Sequence, residues 1–324
     1  MNVNKSVQKV AVIGCGSIGA SWAALFAAYG ISTQVYDPNP AAEALLATIV
    51  EEAVAVLAQL GHFPSSNPLE SDLKITTSRI TFTTDLATAL VGADFVQENG
   101  PESLSIKAEL LSKLDQLLDP SIPILTSTSG LLCSSMQSSL SKHPERFAVG
   151  HPFNPPHLIP LVEIVGGSRT SPETLQSAKA FYSTLGRKPV ILRHEIPGHI
   201  ANRLQSALMQ EIIYMVGEGL ATVDDIETAM QFGPGLRWGV MGPSVLMHLG
   251  GGPGGVSSYT EKFLAALLTW NSANGMALDK KSAAKWVSQT IEAVGNQSRL
   301  ELARRRDAGI VNTLKWRKNL EAGS

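Results

Sequence analysis

Lys9 to Asp37 reads KVAVIGCGSIGASWAALFAAYGISTQVYD, and the order of residue types in this stretch decides the fold. A short apolar run rich in β-branched residues, Val10 to Ile13, stops at Gly14, Gly16 and Gly19. An Ala-rich helical pattern follows, and a second strand-like run, Thr33 to Tyr36, ends in Asp37. Glycine spacing alone says little in a chain of 324 residues that holds 28 glycines. Its strand-turn-helix setting, closed by an acidic residue, makes it a dinucleotide fingerprint.

Each glycine has a physical duty. Gly14 permits the tight turn, Gly16 lets backbone approach a pyrophosphate, and Gly19 allows close packing of helix on strand. The phosphates then face the positive N-terminus of the helix that opens at Ser17 and Ile18. Asp37 can accept hydrogen bonds from both adenosine ribose hydroxyls and would repel a 2′-phosphate, and Pro38, Asn39 and Pro40 follow it rather than an arginine. NAD is therefore favoured over NADP, while FAD shares the fingerprint.

With 44% hydrophobic residues the chain can bury substantial cores, and its length suggests two domains. A net charge of −2 predicts no attraction to nucleic acid or to an acidic membrane, so Arg304, Arg305 and Arg306 read as the solvated face of a C-terminal helix. Cys15 and Cys133 make no disulfide framework and suit a reducing compartment. The N-terminus lacks an apolar signal core, no uncharged apolar run reaches membrane-spanning length, and the final Glu-Ala-Gly-Ser is no familiar peroxisomal address. A soluble, cytoplasmic protein with a small-molecule substrate is expected.

Ala41 to Leu60 carries Leu45, Leu46, Ile49, Val50, Val54 and Leu57 at helical spacing, and Pro64 to Pro68 reads as a turn, so Ala41 to Ser78 is a helical excursion from a sheet. Ile80 to Thr83, Phe95 to Gln97, Ile124 to Ser127 and Phe147 to Gly150 are strand candidates separated by helical stretches. That alternation predicts an α/β fold with a doubly wound, Rossmann-type parallel sheet, extended by Leu161 to Val165 and Pro189 to Leu192. After His194 to Gly198 the patterns turn helical, over Ile200 to Glu218, Val223 to Gln231 and Ser282 to Leu320. The expectation is an NAD-binding domain over 1–197 and an all-helical substrate and dimerisation domain over 198–324, with a homodimer formed through the helical half. GGGPGG at Gly250 to Gly255 follows a helical segment and reads as a mobile interhelical loop rather than a second phosphate cradle.

Between the halves lies Gly150-His151-Pro152-Phe153-Asn154-Pro155-Pro156, then Leu161-Val162-Glu163-Ile164-Val165. A histidine at the C-terminal end of a parallel strand points at the crevice where open α/β sheets bind ligands. The proline-dense loop can turn the chain back and bring Glu163 beside His151. An imidazole oriented by a carboxylate suits alcohol oxidation, taking the hydroxyl proton as hydride leaves the same carbon. Ser127-Thr128-Ser129-Gly130 follows another strand, where a hydroxyl could hold the reacting oxygen or could simply cap the next helix. Asn154 is assigned to the substrate side of the loop. His157, His194 and His248 have no metal-like spacing or cysteine partners, so no metal is expected.

The glycine loop, STSGL (127–131), HPFNPP (151–156) with LVEIV (161–165), and GHIANRL (198–204) together resemble the 3-hydroxyacyl-CoA dehydrogenase superfamily along nearly the whole chain. The resemblance implies a Rossmann domain with a helical dimerisation domain, His151 as general base, Glu163 as its partner, and Ser129 and Asn202 near the substrate oxygen. It also implies that Glu102 and Lys107, in PESLSIK, line the nicotinamide side of the cofactor site. One departure is informative. Where the family runs roughly G-P-G-x-P-M-G-P, this chain has Gly233 to Pro243 with an extra segment that brings Arg237 and Trp238. Arg237 could clamp a free carboxylate bidentately, a group a CoA thioester lacks, or could form a surface ion pair at a helix terminus.

That insertion, with NPPHLIPLVE and MGPSVLMHL, looks more like the lambda-crystallin branch, which includes L-gulonate 3-dehydrogenase and has carnitine dehydrogenase relatives. The resulting expectation is NAD-dependent oxidation of the 3-hydroxyl of a small hydroxy acid, with L-gulonate first. A 3-hydroxyacyl-CoA thioester such as 3-hydroxybutyryl-CoA and carnitine are the enzymatic alternatives. Carnitine would need an aromatic face for its quaternary ammonium, for which Trp238 is the nearby nominee. A crystallin-like structural protein that merely binds NAD is the non-enzymatic alternative.

Overall fold

The computed structural model describes residues 7–63, 69–267, 269–270, 285, 289, 296 and 298–322. The turn expected at Pro64 to Pro68 and much of the pattern from Ser282 to Leu320 lie outside these residues. The chain divides into two compact units, 1–202 and 203–324. The division falls after Asn202 rather than after Pro197, because the segment 198–202 is hydrogen-bonded to the sheet domain.

In the first unit the strands are β1 (Lys9–Ile13), β2 (Ser32–Tyr36), β3 (Ile80–Thr83), β4 (Phe95–Glu98), β5 (Ile124–Thr126), β6 (Phe147–Pro152), β7 (Leu161–Gly166) and β8 (Lys188–Ile191). They form one eight-stranded sheet in the order β3-β2-β1-β4-β5-β6-β7-β8. Every neighbouring pair is parallel except β6 and β7. Central strands read as unbroken apolar runs because helices cover both faces, which removes the polar-out alternation of a half-solvated sheet. Trp22 and Phe26 pack with Phe95, Phe181 and Tyr182 in one cluster, and Ile13, Leu111, Leu114, Met136 and Phe147 belong to another. The strand order turns back between β1 and β4, so the crevice at their C-terminal ends opens beside the glycine loop.

One strand differs instructively from expectation. Phe147 to Gly150 was expected to end before the histidine, but β6 continues through Pro152 because β7 returns antiparallel and keeps the ladder going. Register therefore places His151 directly opposite Glu163.

In the second unit, no strand occurs among the described residues. Helix Ala201–Gly217 leads into it and Val223–Phe232 follows, the latter started by a reciprocal Thr222–Asp225 capping box. Val216, Val223 and Ile226 form its buried centre, flanked by Ile212, Met215 and Met230. The Gly-rich run is interhelical: Gly252–Gly254 makes one 3₁₀ turn between helices Pro243–Gly250 and Gly255–Leu267. A side chain at Gly251 would meet the Gly255 carbonyl at 1.7 Å, so only glycine lets these backbones touch. Arg304 is exposed on helix Arg299–Ala322, whereas the side chains of Arg305 and Arg306 lie outside those described.

Candidate active site

The crevice beside β1 is built for an anion. The helix Ser17–Ala28 has Gly16 as its N-cap, with no side chain to satisfy the first-turn N–H groups. A Cβ at Gly16 would point into open space, whereas one at Gly19 would meet the Gly14 carbonyl oxygen at 1.9 Å. Gly14 itself sits at φ +92°, a region L side chains avoid. Asp37 is fixed at the end of β2: Oδ2 accepts the Cys15 N–H at 2.8 Å and Oδ1 accepts the Asn39 N–H at 2.9 Å. Each oxygen keeps a lone pair, which suits two ribose hydroxyls. Uncapped helix dipole, bare glycine surface and fixed carboxylate fit a dinucleotide without a 2′-phosphate. Burial, and then the charge of Asp37, push the neighbouring Cys15 thiol up to about 12, so it stays protonated.

At the C-terminal end of β6, His151 Nδ1 and Glu163 Oε2 lie 2.9 Å apart, with both side chains buried. Glu163 Oε1 accepts the backbone N–H groups of Ile200 and Ala201 at 2.8 and 3.0 Å. Burial alone would raise the Glu163 pKa, but the His151 hydrogen bond and these two N–H donors outweigh it and hold the carboxyl below the usual range. An ionised Glu163 accepts a hydrogen bond from the Nδ1–H of His151, which leaves Nε2 as the ring's accepting atom.

The loop after β5 is held over the same end of the sheet. Glu102 Oε1 accepts three donors: the Thr128 hydroxyl at 2.5 Å, the Ser129 N–H at 2.9 Å and the Gly130 N–H at 3.1 Å. Asn202 Nδ2 donates to the Ser129 carbonyl at 3.1 Å. Ser129 is exposed and is not the helix cap: the next helix, Cys133–Gln137, has Leu132 at its N-cap position. Glu102 and Asn202 thus tie Ser129 to the site through its backbone.

Lys107 is more deeply held than its place in the motif suggests: its ammonium is buried and donates to both Glu98 oxygens at 2.9 Å and to the Gly100 carbonyl at 3.0 Å, so it braces the 98–102 loop. A signal existed in the sequence, since Lys107 lies on the same buried helical stripe as Leu111 and Leu114. Asn154 is exposed on the loop after β6, and Arg237 and Trp238 are exposed at the end of the short helix Pro234–Trp238 in the second unit. No cluster of metal-ligating side chains occurs among the described residues. His199 was missed by sequence reasoning. It is buried, its ring lies 5.1 Å from that of His151, and its Nε2 is 3.2 Å from the Thr128 carbonyl.

Comparison with known proteins agrees with this geometry. The NAD-binding domain model of 3-hydroxyacyl-CoA dehydrogenase matches residues 9–196, and the model of its C-terminal domain matches 198–289. The chain is 40% identical to an L-carnitine dehydrogenase of Streptomyces coelicolor, covering 97% of this chain and 96% of that one. It is 39% identical to an L-carnitine dehydrogenase of Pseudomonas putida, covering 98% and 96%. Among solved structures, a 5-formyl-3-hydroxy-2-methylpyridine 4-carboxylic acid 5-dehydrogenase described as an NAD+-dependent dismutase superposes with a TM-score of 0.80 at 29% identity, covering 98% of this chain and 99% of that one. The chain belongs to the 3-hydroxyacyl-CoA dehydrogenase family and is an NAD-dependent oxidoreductase of that family.

Proposed function

We propose that this enzyme oxidises the 3-hydroxyl of a small free hydroxy acid carrying a quaternary ammonium, L-carnitine or a close analogue. The observation that carries the chemistry is the buried His151–Glu163 pair at the C-terminal end of β6. The substrate class is supported by the carnitine dehydrogenase names of full-length relatives at 36–40% identity. This reverses the order of preference drawn from the sequence, in which L-gulonate stood first; no relative named above carries that activity.

Bound NAD supplies the hydride acceptor. His151 Nε2 takes the proton of the substrate hydroxyl, and Glu163 stabilises the imidazolium that forms while keeping the ring in the tautomer whose Nε2 can accept. Ser129, Asn154 and Asn202 are proposed to orient the reacting oxygen. Arg237 is proposed to hold the carboxylate, in keeping with its exposure. Trp238, 43% exposed, is proposed to offer its ring face to the ammonium.

One assay tests this reading: NADH formation from L-carnitine, L-gulonate and 3-hydroxybutyryl-CoA, each offered with NAD. The highest kcat/KM is expected for L-carnitine, and Arg237→Ala should raise its KM at least about tenfold with little change in kcat. Turnover confined to the thioester would refute the free-acid reading, and tight NAD binding without turnover on any of the three would refute dehydrogenation of these acids.

A further inference from the structure

His199 combines features that catalytic placement of His151 does not require. Among the described residues it is the sole non-glycine at positive φ, +53°, and it follows Gly198 at φ +76°. Such backbone is unfavourable for most L-residues and persists only where its surroundings enforce it. The turn it makes aims the next two N–H groups, of Ile200 and Ala201, at Glu163 Oε1. Its side chain is 2% exposed, and its Nε2 lies 3.2 Å from the carbonyl of Thr128, an acceptor only, so Nε2 carries the proton. Nδ1 is buried without a hydrogen-bond partner among the described residues. The ring lies 5.1 Å from that of His151 at an interplanar angle of 47°.

We propose that His199 is a positioning residue: a neutral imidazole that couples the 127–130 loop, which presents Ser129, to the His151–Glu163 pair. The proposal rests on the dehydrogenase reading of that pair. Three contacts serve it. The backbone turn orients the donors that fix Glu163, the Nε2–H holds the Thr128 carbonyl, and the ring packs beside the base, limiting its tilt. The charged or titratable groups that act on His199 are His151 from β6, Glu163 from β7 and Glu102 from the loop after β4. Desolvation dominates among them and lowers the His199 pKa, so a second positive charge does not form beside His151 as that ring accepts the substrate proton.

The test uses His199→Gly, which suits the positive φ but removes the ring, and His199→Gln, whose amide nitrogen can take the place of Nε2. In His199→Gly, kcat on the preferred hydroxy acid should fall about tenfold to a hundredfold, as expected for misplaced reacting groups, while KM for NAD changes by less than about twofold. His199→Gln should recover most of the loss. An unchanged kcat in His199→Gly, or no recovery in His199→Gln, would overturn the proposal. A second readout is independent of turnover: long-range 1H–15N spectra of the NAD-bound protein should show His199 neutral with Nδ1 unprotonated, and His151 in one tautomer that becomes mixed in His199→Gly. Identical His151 spectra in both proteins would overturn the proposal, whereas wild-type protein that turns over no substrate would defeat only the dehydrogenase reading.

Discussion

Replacing Glu163 with glutamine changes one atom in kind and should reverse the polarity of the whole proton path. Glu163 Oε1 accepts two backbone N–H groups, while Oε2 faces His151 Nδ1. In Glu163→Gln the amide oxygen must stay with Ile200 and Ala201, because turning the NH2 toward them would leave two buried donors facing a third, at about 1–3 kcal/mol each. The NH2 group then faces His151 and donates to Nδ1. The imidazole proton moves to Nε2, the atom that must accept from the substrate. A general-base histidine locked in the wrong tautomer loses about 10⁴ in kcat, or ~5.5 kcal/mol of transition-state stabilisation. Glu163→Ala strands both N–H groups and should be the less stable protein, yet it leaves the tautomer free and should lose only about 10² in kcat.

The two variants therefore cross: alanine is more active but melts lower, and glutamine is less active but better folded. Initial rates of NADH formation at saturating NAD, with thermal melts of the same preparations, measure both axes. Glu163→Gln within about tenfold of wild-type kcat would refute the tautomer reasoning, as would an alanine variant slower than the glutamine one.

Other perturbations have equally definite outcomes. Gly19→Ala drives a methyl into the Gly14 carbonyl, where 1.9 Å is available, so it should destabilise the fold by about 1–3 kcal/mol and weaken NAD binding, read by thermal melts and calorimetric titration. Lys107→Met leaves the Glu98 carboxylate buried without its cation and should cost about 3–5 kcal/mol in chemical denaturation, while any folded fraction keeps its NAD affinity. Asp115 accepts the N–H groups of Lys142 and His143 and pairs with buried Arg146; burial pushes its pKa up, but these donors outweigh it and hold the pKa below the ordinary value. A depressed carboxyl stabilises above its unfolded pKa and ceases to do so as pH falls through the folded value. Urea melts should thus show stability falling on acidification below about pH 4, with a shallower fall in Asp115→Asn.

Much of the sheet domain was legible because its code is local. The glycine loop, the β-branched runs and Asp37 each lie within a few residues of what they determine, and strand β7 followed from its own apolar run, Leu161 to Val165. The site was legible only where spacing in the chain translated into spacing on the sheet, as for His151 and Glu163. The burial of Lys107 was not drawn from the sequence, although it shares an apolar stripe with Leu111 and Leu114. His199 escaped because nothing in a tripeptide such as Gly198-His199-Ile200 announces a left-handed turn. Its partners, Thr128 and His151, are distant in sequence and meet it only after the sheet has formed. Arg237 and Trp238 were singled out as an insertion, yet their use depends on a ligand, which no local pattern encodes.

The lone antiparallel pairing, of β6 with β7, makes proton chemistry hostage to ladder alignment. His151 faces Glu163 because the two occupy opposing positions on β6 and β7; sliding β7 by a single residue would present Val162 or Ile164 and turn the carboxylate to the far side of the sheet. Turnover is then a gauge of strand alignment, finer than any melting curve. Changes in the Phe153 to Pro160 connection that leave a well-folded protein could still silence it through a slip of about 3.4 Å.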